Sequence, residues 1–389
     1  MGFYKRVLIF LLAEALLLAG LCGCSNTAEI SDFYPVDLSG HISETIEPGL
    51  EIDLDIDSPD GASLLSEYDA EVLAADEETM KSFLTYISDP AKIVAVDEWL
   101  DGEHHYAVRT EKDGYADCFQ VVEGTASATG WSYYAPIADT YTYAVRDYYG
   151  SGRSTCISDN TNLYHTPKNF SFLSCEDAEK IAREALDILG LTGLDLVETL
   201  YLDHEIMSEY VRSEAAQELL DHYDMQYLAE RGYDSSYDAY SFRFSLSKDR
   251  IPLFEESFWN TTIGYGAPDI VVQINCNGVF AVSAFECSLF GEKVSEPSRV
   301  ISPGKVLSDV RAQLQDTICP HDRLIDGLKL RYIYWRDGER LILKPVWIAC
   351  VLEAEAGPPM DASNPDGPRE DRYSYFIYDA ISGNMLCLT

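Results

Sequence analysis

The stretch Ser302-Pro303-Gly304-Lys305-Val306-Leu307-Ser308-Asp309-Val310-Arg311-Ala312-Gln313-Leu314, with the strand-forming runs Leu328–Trp335, Leu341–Glu353 and Tyr373–Leu388 behind it, sets the expected fold. Ser302 is a good N-cap, and Pro303 stands at the first helical position, where a missing N–H costs nothing. Val306, Leu307, Val310 and Leu314 recur at the spacing of one helical face. Asp337-Gly338, between two runs rich in aromatic and β-branched residues, predicts a type I′ hairpin turn. A single helix followed by antiparallel strands is the outcome.

Working outward, the same order recurs upstream. Ser174 caps a helix carrying Ala178, Ile181, Ala182, Ala185, Ile188 and Leu189 on one face, with Gly190 as its stop. A strand over Leu194–Leu202, a long helix from about His204 to Leu228, a strand over Tyr240–Leu246 and a hairpin over Asp269–Glu286 follow. If Asn277-Gly278 is that hairpin's two-residue turn, Ile274 faces Ala281 and Cys276 faces Val279. A more diverged copy starts at Asp76, with Met80, Phe83, Leu84 and Ile87 on its helical face. Glu51-Ile52-Asp53-Leu54-Asp55-Ile56-Asp57 alternates strictly and reads as a half-buried strand. The expected fold class is therefore α+β, with tandem modules of an amphipathic helix packed on an antiparallel sheet. The divisions are a leader over 1–23, a tether over 24–48, and modules over 49–165, 166–296 (with the inserted helix) and 297–389.

The segment Tyr375-Phe376-Ile377-Tyr378-Asp379-Ala380-Ile381-Ser382-Gly383-Asn384-Met385 resembles the closing hairpin of PepSY-like domains, with Ser382 where threonine is usual. Lys344-Pro345-Val346-Trp347-Ile348 is similar to the penultimate strand of that group. The wider layout resembles the YycH and YycI type of extracytoplasmic regulators and lipoproteins of Gram-positive bacteria. That resemblance implies inhibition or modulation of a partner protein rather than chemistry, and it transfers no functional residue.

Lys5 and Arg6 precede an apolar run, Val7 to Gly20, that Glu14 interrupts and that falls short of the roughly 20 residues of a spanning helix. It ends in Leu21-Cys22-Gly23-Cys24, which resembles the lipobox of bacterial lipoproteins and makes Cys24 the expected site of lipidation. The resemblance implies a palmitate-bearing anchor and a chain held on the extracytoplasmic face of the cell membrane. The 66 acidic against 28 basic residues give a formal charge of −38. Such a field excludes nucleic acid and favours a cationic partner. A hydrophobic fraction of 47% is enough to build a core. Export would permit disulfides, but Cys350 and Cys387 sit inside apolar runs, which favours free thiols.

Catalytic patterns are missing. Glu103-His104-His105 is the densest metal-like cluster, yet adjacent strand residues face opposite sides. His204-Glu205 starts like a zincin helix, but position 208 is serine. Asp53, Asp55 and Asp57 lack the glycine and glutamate of an EF-hand loop. No nucleophile elbow or phosphate loop is present, so no enzyme activity, metal or cofactor is expected. The leading expectation is a non-enzymatic binding or regulatory lipoprotein that contacts an envelope protein or peptide through sheet edges or a helix–sheet groove. The alternative is an envelope-glycan binder using Trp131, Tyr133 and Tyr134 as stacking aromatics. A metal-dependent hydrolase built on His104 and His105 is the weakest reading.

Overall fold

The computed structural model describes residues 39–59, 62–73, 77–87, 94–100, 103–109, 118–123, 129–134, 141, 160–222, 225–254, 269–285, 287–338, 340–356 and 371–388. Contacts divide them into two units, Ser302–Ile318 and a β-rich body of Ser39–Ile301 with Cys319–Thr389. The body opens with strands β1 (His41–Glu47), β2 (Leu50–Asp57), β3 (Leu64–Leu65) and β4 (Tyr68–Val72), then helix α1 (Glu77–Ile87). Strands β5 (Val94–Leu100), β6 (Glu103–Arg109), β7 (Cys118–Glu123) and β8 (Thr129–Tyr134) precede α2 (Cys175–Ile188) and β9 (Asp195–Leu202). Three short helices follow, α3 (His204–Val211), α4 (Glu214–His222) and α5 (Tyr227–Arg231). Next come β10 (Ala239–Ser245), β11 (Ser247–Lys248), β12 (Ile251–Pro252), β13 (Asp269–Asn275) and β14 (Gly278–Phe285). The last strands are β15 (Ser288–Lys293), β16 (Ser298–Arg299), β17 (Arg323–Asp337), β18 (Arg340–Glu353), β19 (Arg372–Asp379) and β20 (Met385–Leu388).

The other unit is helix α6 (Pro303–Gln315) with its flanks. Ser302 Oγ accepts from Lys305 N at 3.3 Å, Pro303 opens the first turn, and Val306, Leu307, Val310 and Leu314 are buried.

This architecture overturns the expected α+β class of tandem helix-on-antiparallel-sheet modules. The protein is dominated by strands, and its main sheets are assembled from distant parts of the chain. One eight-stranded sheet runs β1-β2-β17-β18-β19-β20, with β4 added beside β18 and β15 beside β4. It is mixed, because β2 lies parallel to β17, with Leu50 opposite Arg323 and Ile52 opposite Ile325. The second runs β5-β6-β7-β8-β14-β13-β10-β9, so strands of the expected first module continue the sheet of the expected second. The physical reason lies in what each segment can bury by itself. β2 presents Leu50, Ile52 and Leu54, exposed by 2% at most, and finds its second strand partner in β17, far along the chain. β18, paired with β17 on one edge and β19 on the other, is buried on both faces from Pro345 to Val351, as a central strand is.

β18 also shows how one strand serves two partners. Val346–Glu353 pairs with β19, whereas Ile342 and Leu343 pair with β4. Pro345, which has no N–H to donate, stands where these partners part, and its carbonyl accepts from Ala380 N at 3.0 Å. Beside it, Lys344 is ion-paired with Glu67 and donates to Asp379 Oδ2 at 3.0 Å. Asp379 Oδ1 accepts from Ile381 N at 2.8 Å and Ser382 N at 2.9 Å. Its backbone oxygen accepts from Gly383 N, and Gly383 takes a φ of 77°. The Asp-Ala-x-Ser-Gly motif is thus a turn closed by its own carboxylate. Burial opposes charge on Asp379, yet those two backbone donors and the Lys344 ammonium hold its carboxyl below the ordinary value. Burial likewise opposes charge on Lys344, and its two carboxylate partners outweigh it, raising the ammonium's pKa.

In the second sheet, α2 lies against β10 and β13 on the face carrying Tyr240, Phe242 and Phe244. Arg183 of α2 stacks over Phe244 at 5.1 Å. Helices α3–α5 cover the opposite face, where Leu200, Leu202, Ala239, Phe280 and Ala281 pack with Met207, Val211, Leu220 and Leu228.

Several local expectations shift. The long helix expected from about His204 to Leu228 is broken into three, because the chain turns at Arg212-Ser213 and again after His222. Ser208 Oγ bonds Tyr233 N at 2.7 Å and so ties the far end of the insertion back onto α3. In the β13–β14 hairpin the turn residues are Cys276-Asn277, with Asn275 opposite Gly278 and Ile274 opposite Val279. Gly278, at φ 101°, takes the position after the turn, and the register shifts before Gln273 meets Ala281. The other hairpin likewise closes with Asp337 opposite Arg340, one residue later than expected. A hairpin the sequence did not announce joins β11 to β12 through Asp249 and Arg250, both at positive φ (53° and 68°).

Candidate functional site

Two features combine exposure or reactive side chains with a defined geometry. The first is the ribbon of β1 and β2. β1 is an edge strand whose one strand partner among the described residues is β2. Because β2 alternates, Glu51, Asp53, Asp55 and Asp57 all project to its exposed face. The side chains of Asp53 and Asp55 are 59% and 82% exposed. Two basic side chains touch the row: His41 lies 3.1 Å from Asp53 and 3.3 Å from Asp55, and Arg331 of β17 pairs with Asp57. The result is an acidic strip alongside a strand that, among the described residues, pairs on one side only.

The second feature lies where β9 ends and β10 begins. These strands pair with Leu202 opposite Ala239, so the flanking residues Asp203 and Asp238 are brought together. Asp203 caps α3, its Oδ1 accepting from Glu205 N at 2.9 Å. Asp238 Oδ1 accepts from His204 N at 3.0 Å and lies 2.7 Å from His204 Nδ1. His204 Nδ1 is 3.6 Å from Asp203 Oδ1. Both carboxylate side chains are buried, at 9% and 8% exposure, whereas the imidazole is a quarter exposed. Lys168 is ion-paired with Asp203 Oδ2. It approaches from a segment pinned by Tyr240, whose hydroxyl accepts from Phe170 N and donates to Leu173 O, both at 2.9 Å. Burial opposes charge on Asp203, but Lys168 and Glu205 N hold its carboxyl below the usual range. The same hydrogen bond raises the pKa of Lys168. One ligand atom each from Asp203, His204 and Asp238 fits within 4.8 Å.

Of the residues singled out in the sequence, Cys24 lies outside the described residues. Trp131, Tyr133 and Tyr134 fall on β8, an interior strand. They stand opposite Val121, Phe119 and Cys118 of β7 and opposite Ala284, Val282 and Ala281 of β14. His104 and His105 lie on β6, opposite Trp99 and Glu98. Asp53, Asp55 and Asp57 occupy β2. Cys175, Cys276, Cys287, Cys319 and Cys350 are free thiols. Sequence reasoning noticed His204 but not Asp203 or Asp238. The available signal was the pair of expected strands, Leu194–Leu202 and Tyr240–Leu246, that flank the inserted helix, since the two aspartates stand just outside their ends.

Among the described residues no helix is long and apolar enough to cross a membrane. No family model matches the chain, and no curated protein matches it. A crystal structure of an uncharacterized protein from Eubacterium rectale ATCC 33656 is similar, with 15% identity and a TM-score of 0.59. The likeness covers 90% of this chain and 94% of that one, so what the two share is a fold.

Proposed function

We propose that this protein is a lipid-anchored extracytoplasmic binding lipoprotein, non-enzymatic, that engages a cationic extended peptide or the basic segment of an envelope protein. The observation that carries the reading is the edge strand β1 beside the exposed row Glu51, Asp53, Asp55 and Asp57. An added strand would take main-chain hydrogen bonds from β1, and lysine or arginine at alternate positions would meet the carboxylates. The overall charge of −38 extends this preference over a longer range. The lipobox-like Leu21-Cys22-Gly23-Cys24 supports the anchor, and the PepSY-like closing segment agrees with a modulating role.

Full-length protein in detergent, presented with a Lys/Val-alternating peptide and its Glu/Val counterpart, tests the reading. Binding of the basic peptide alone is expected, weakened about tenfold or more between 50 and 200 mM salt, in keeping with a strongly screened contact. Asp53→Asn with Asp55→Asn should weaken it, and Ser43→Pro, which leaves every charge in place, should weaken it too. Equal capture of both peptides, or of neither, overturns the proposal; in the second case the acidic strip serves only to keep edges from pairing. The anchor is checked separately by labelled palmitate, expected on the wild type and absent from Cys24→Ser.

A further inference from the structure

We infer that Asp203, His204 and Asp238 form a binding site for a divalent transition-metal ion of the zinc class. It is separate from the acidic ribbon and independent of the peptide reading. The donor set is two carboxylate oxygens and an imidazole nitrogen, a combination such ions accept, with positions left for water. The three ligand atoms are already gathered within 4.8 Å, close to the spacing of a coordination shell.

Three observations go beyond the mere presence of acidic groups. First, each of the two carboxylates is oriented by a backbone N–H. Glu205 N holds Asp203, and His204 N holds Asp238, as partners behind a metal shell do. Second, Asp238 is unevenly used. Its side chain is only 8% exposed, and both bonds from His204 fall on Oδ1, leaving Oδ2 with no partner among the described residues. Third, the site already draws a cation, because Lys168 crosses to Asp203 Oδ2.

Occupation needs small changes. His204 presents the Nδ1 lone pair in its neutral form, with the proton on Nε2, and the ion takes the place of the Nδ1–H···Oδ1 bond to Asp238. Lys168 swings outward from Asp203, which its half-exposed position allows.

Chelator-treated full-length protein titrated with Zn2+ by calorimetry, and with Co2+ by visible absorption, tests the inference. One ion per chain is expected, with a Co2+ spectrum that Zn2+ abolishes. His204→Ala and Asp238→Asn should each weaken binding by about tenfold or more, judged against the loss typical of altered metal-site partners. Lys168→Met should tighten it several-fold, a gain that misfolding cannot produce. His41→Ala, which removes the imidazole of the acidic ribbon, should leave the affinity unchanged. Absence of binding overturns the site, as does binding that survives His204→Ala and Asp238→Asn or disappears with His41→Ala. A Lys168→Met variant that binds more weakly also overturns it.

Discussion

Replacing Lys344 by methionine keeps most of the side chain's packing and removes its charge. The wild-type ammonium is 13% exposed and sits between Glu67 and Asp379, themselves 21% and 13% exposed. Breaking a fully buried pair costs about 3–5 kcal/mol, and an exposed one about 0–1. Asp379 keeps its two backbone donors in the variant, and Glu67 retains some water. The expected loss is therefore about 2–3 kcal/mol at pH 7. At a urea m-value of roughly 3 kcal/mol/M, the midpoint falls by roughly 1 M. The sign of the pH dependence follows from Asp379, whose folded pKa is depressed. Its stabilisation is present above the unfolded value near 3.9 and is lost as pH falls through the folded one. Without Lys344 the carboxylates gain by taking up protons, so the gap between wild type and variant narrows as pH is lowered from 7 towards 4. Urea melts at both pH values read this directly. A loss below about 1 kcal/mol at pH 7, or a gap that widens on acidification, refutes the account of Lys344 as the neutralising centre.

Ser174→Ala removes the hydroxyl that accepts from Asp177 N at 3.1 Å and should cost about 1 kcal/mol in urea melts, whereas Ser174→Asp should restore most of it. Gly232→Ala forces a side chain onto a residue at φ 66° and drives its Cβ into the Arg212 guanidinium. A loss of about 1–3 kcal/mol is expected, with early loss of hydrogen-exchange protection in α3–α5. Alkylation followed by mass spectrometry should find Cys276, which is exposed, modified in the native state before the other four thiols of known burial, Cys175, Cys287, Cys319 and Cys350. Cys287 is fully buried, with its thiol pushed up to about 12, and should react only on the time scale of unfolding.

What could be read from the sequence was local. The caps at Ser174 and Ser302 form as expected, and the alternation of β2 appears in its burial. These features depend on neighbours a few residues away. Hairpin register was only partly legible. Asn277-Gly278 announces a turn, but the glycine's freedom serves equally as a turn residue or as the residue just after it, and the structure takes the second option. Strand partnership across the sheets was not legible, since nothing in the composition of Leu50–Asp57 distinguishes a nearby antiparallel partner from the parallel β17. The expectation of modules failed at that point. Asp203 and His204 are adjacent in sequence, but their meeting with Asp238 depends on the pairing of β9 with β10.

The pairing of Leu50 with Arg323 has a consequence for synthesis. Whichever machine delivers the chain, amino end first, the hydrophobic side of Leu50, Ile52 and Leu54 emerges with only β1 beside it, long before the parallel neighbour β17. Those residues must wait, shielded by a chaperone or a provisional contact, until nearly the whole polypeptide has appeared. A nonsense codon anywhere before Arg323 would therefore leave the first strands stranded as well, and such fragments should be cleared by proteases rather than accumulate as working amino-terminal domains.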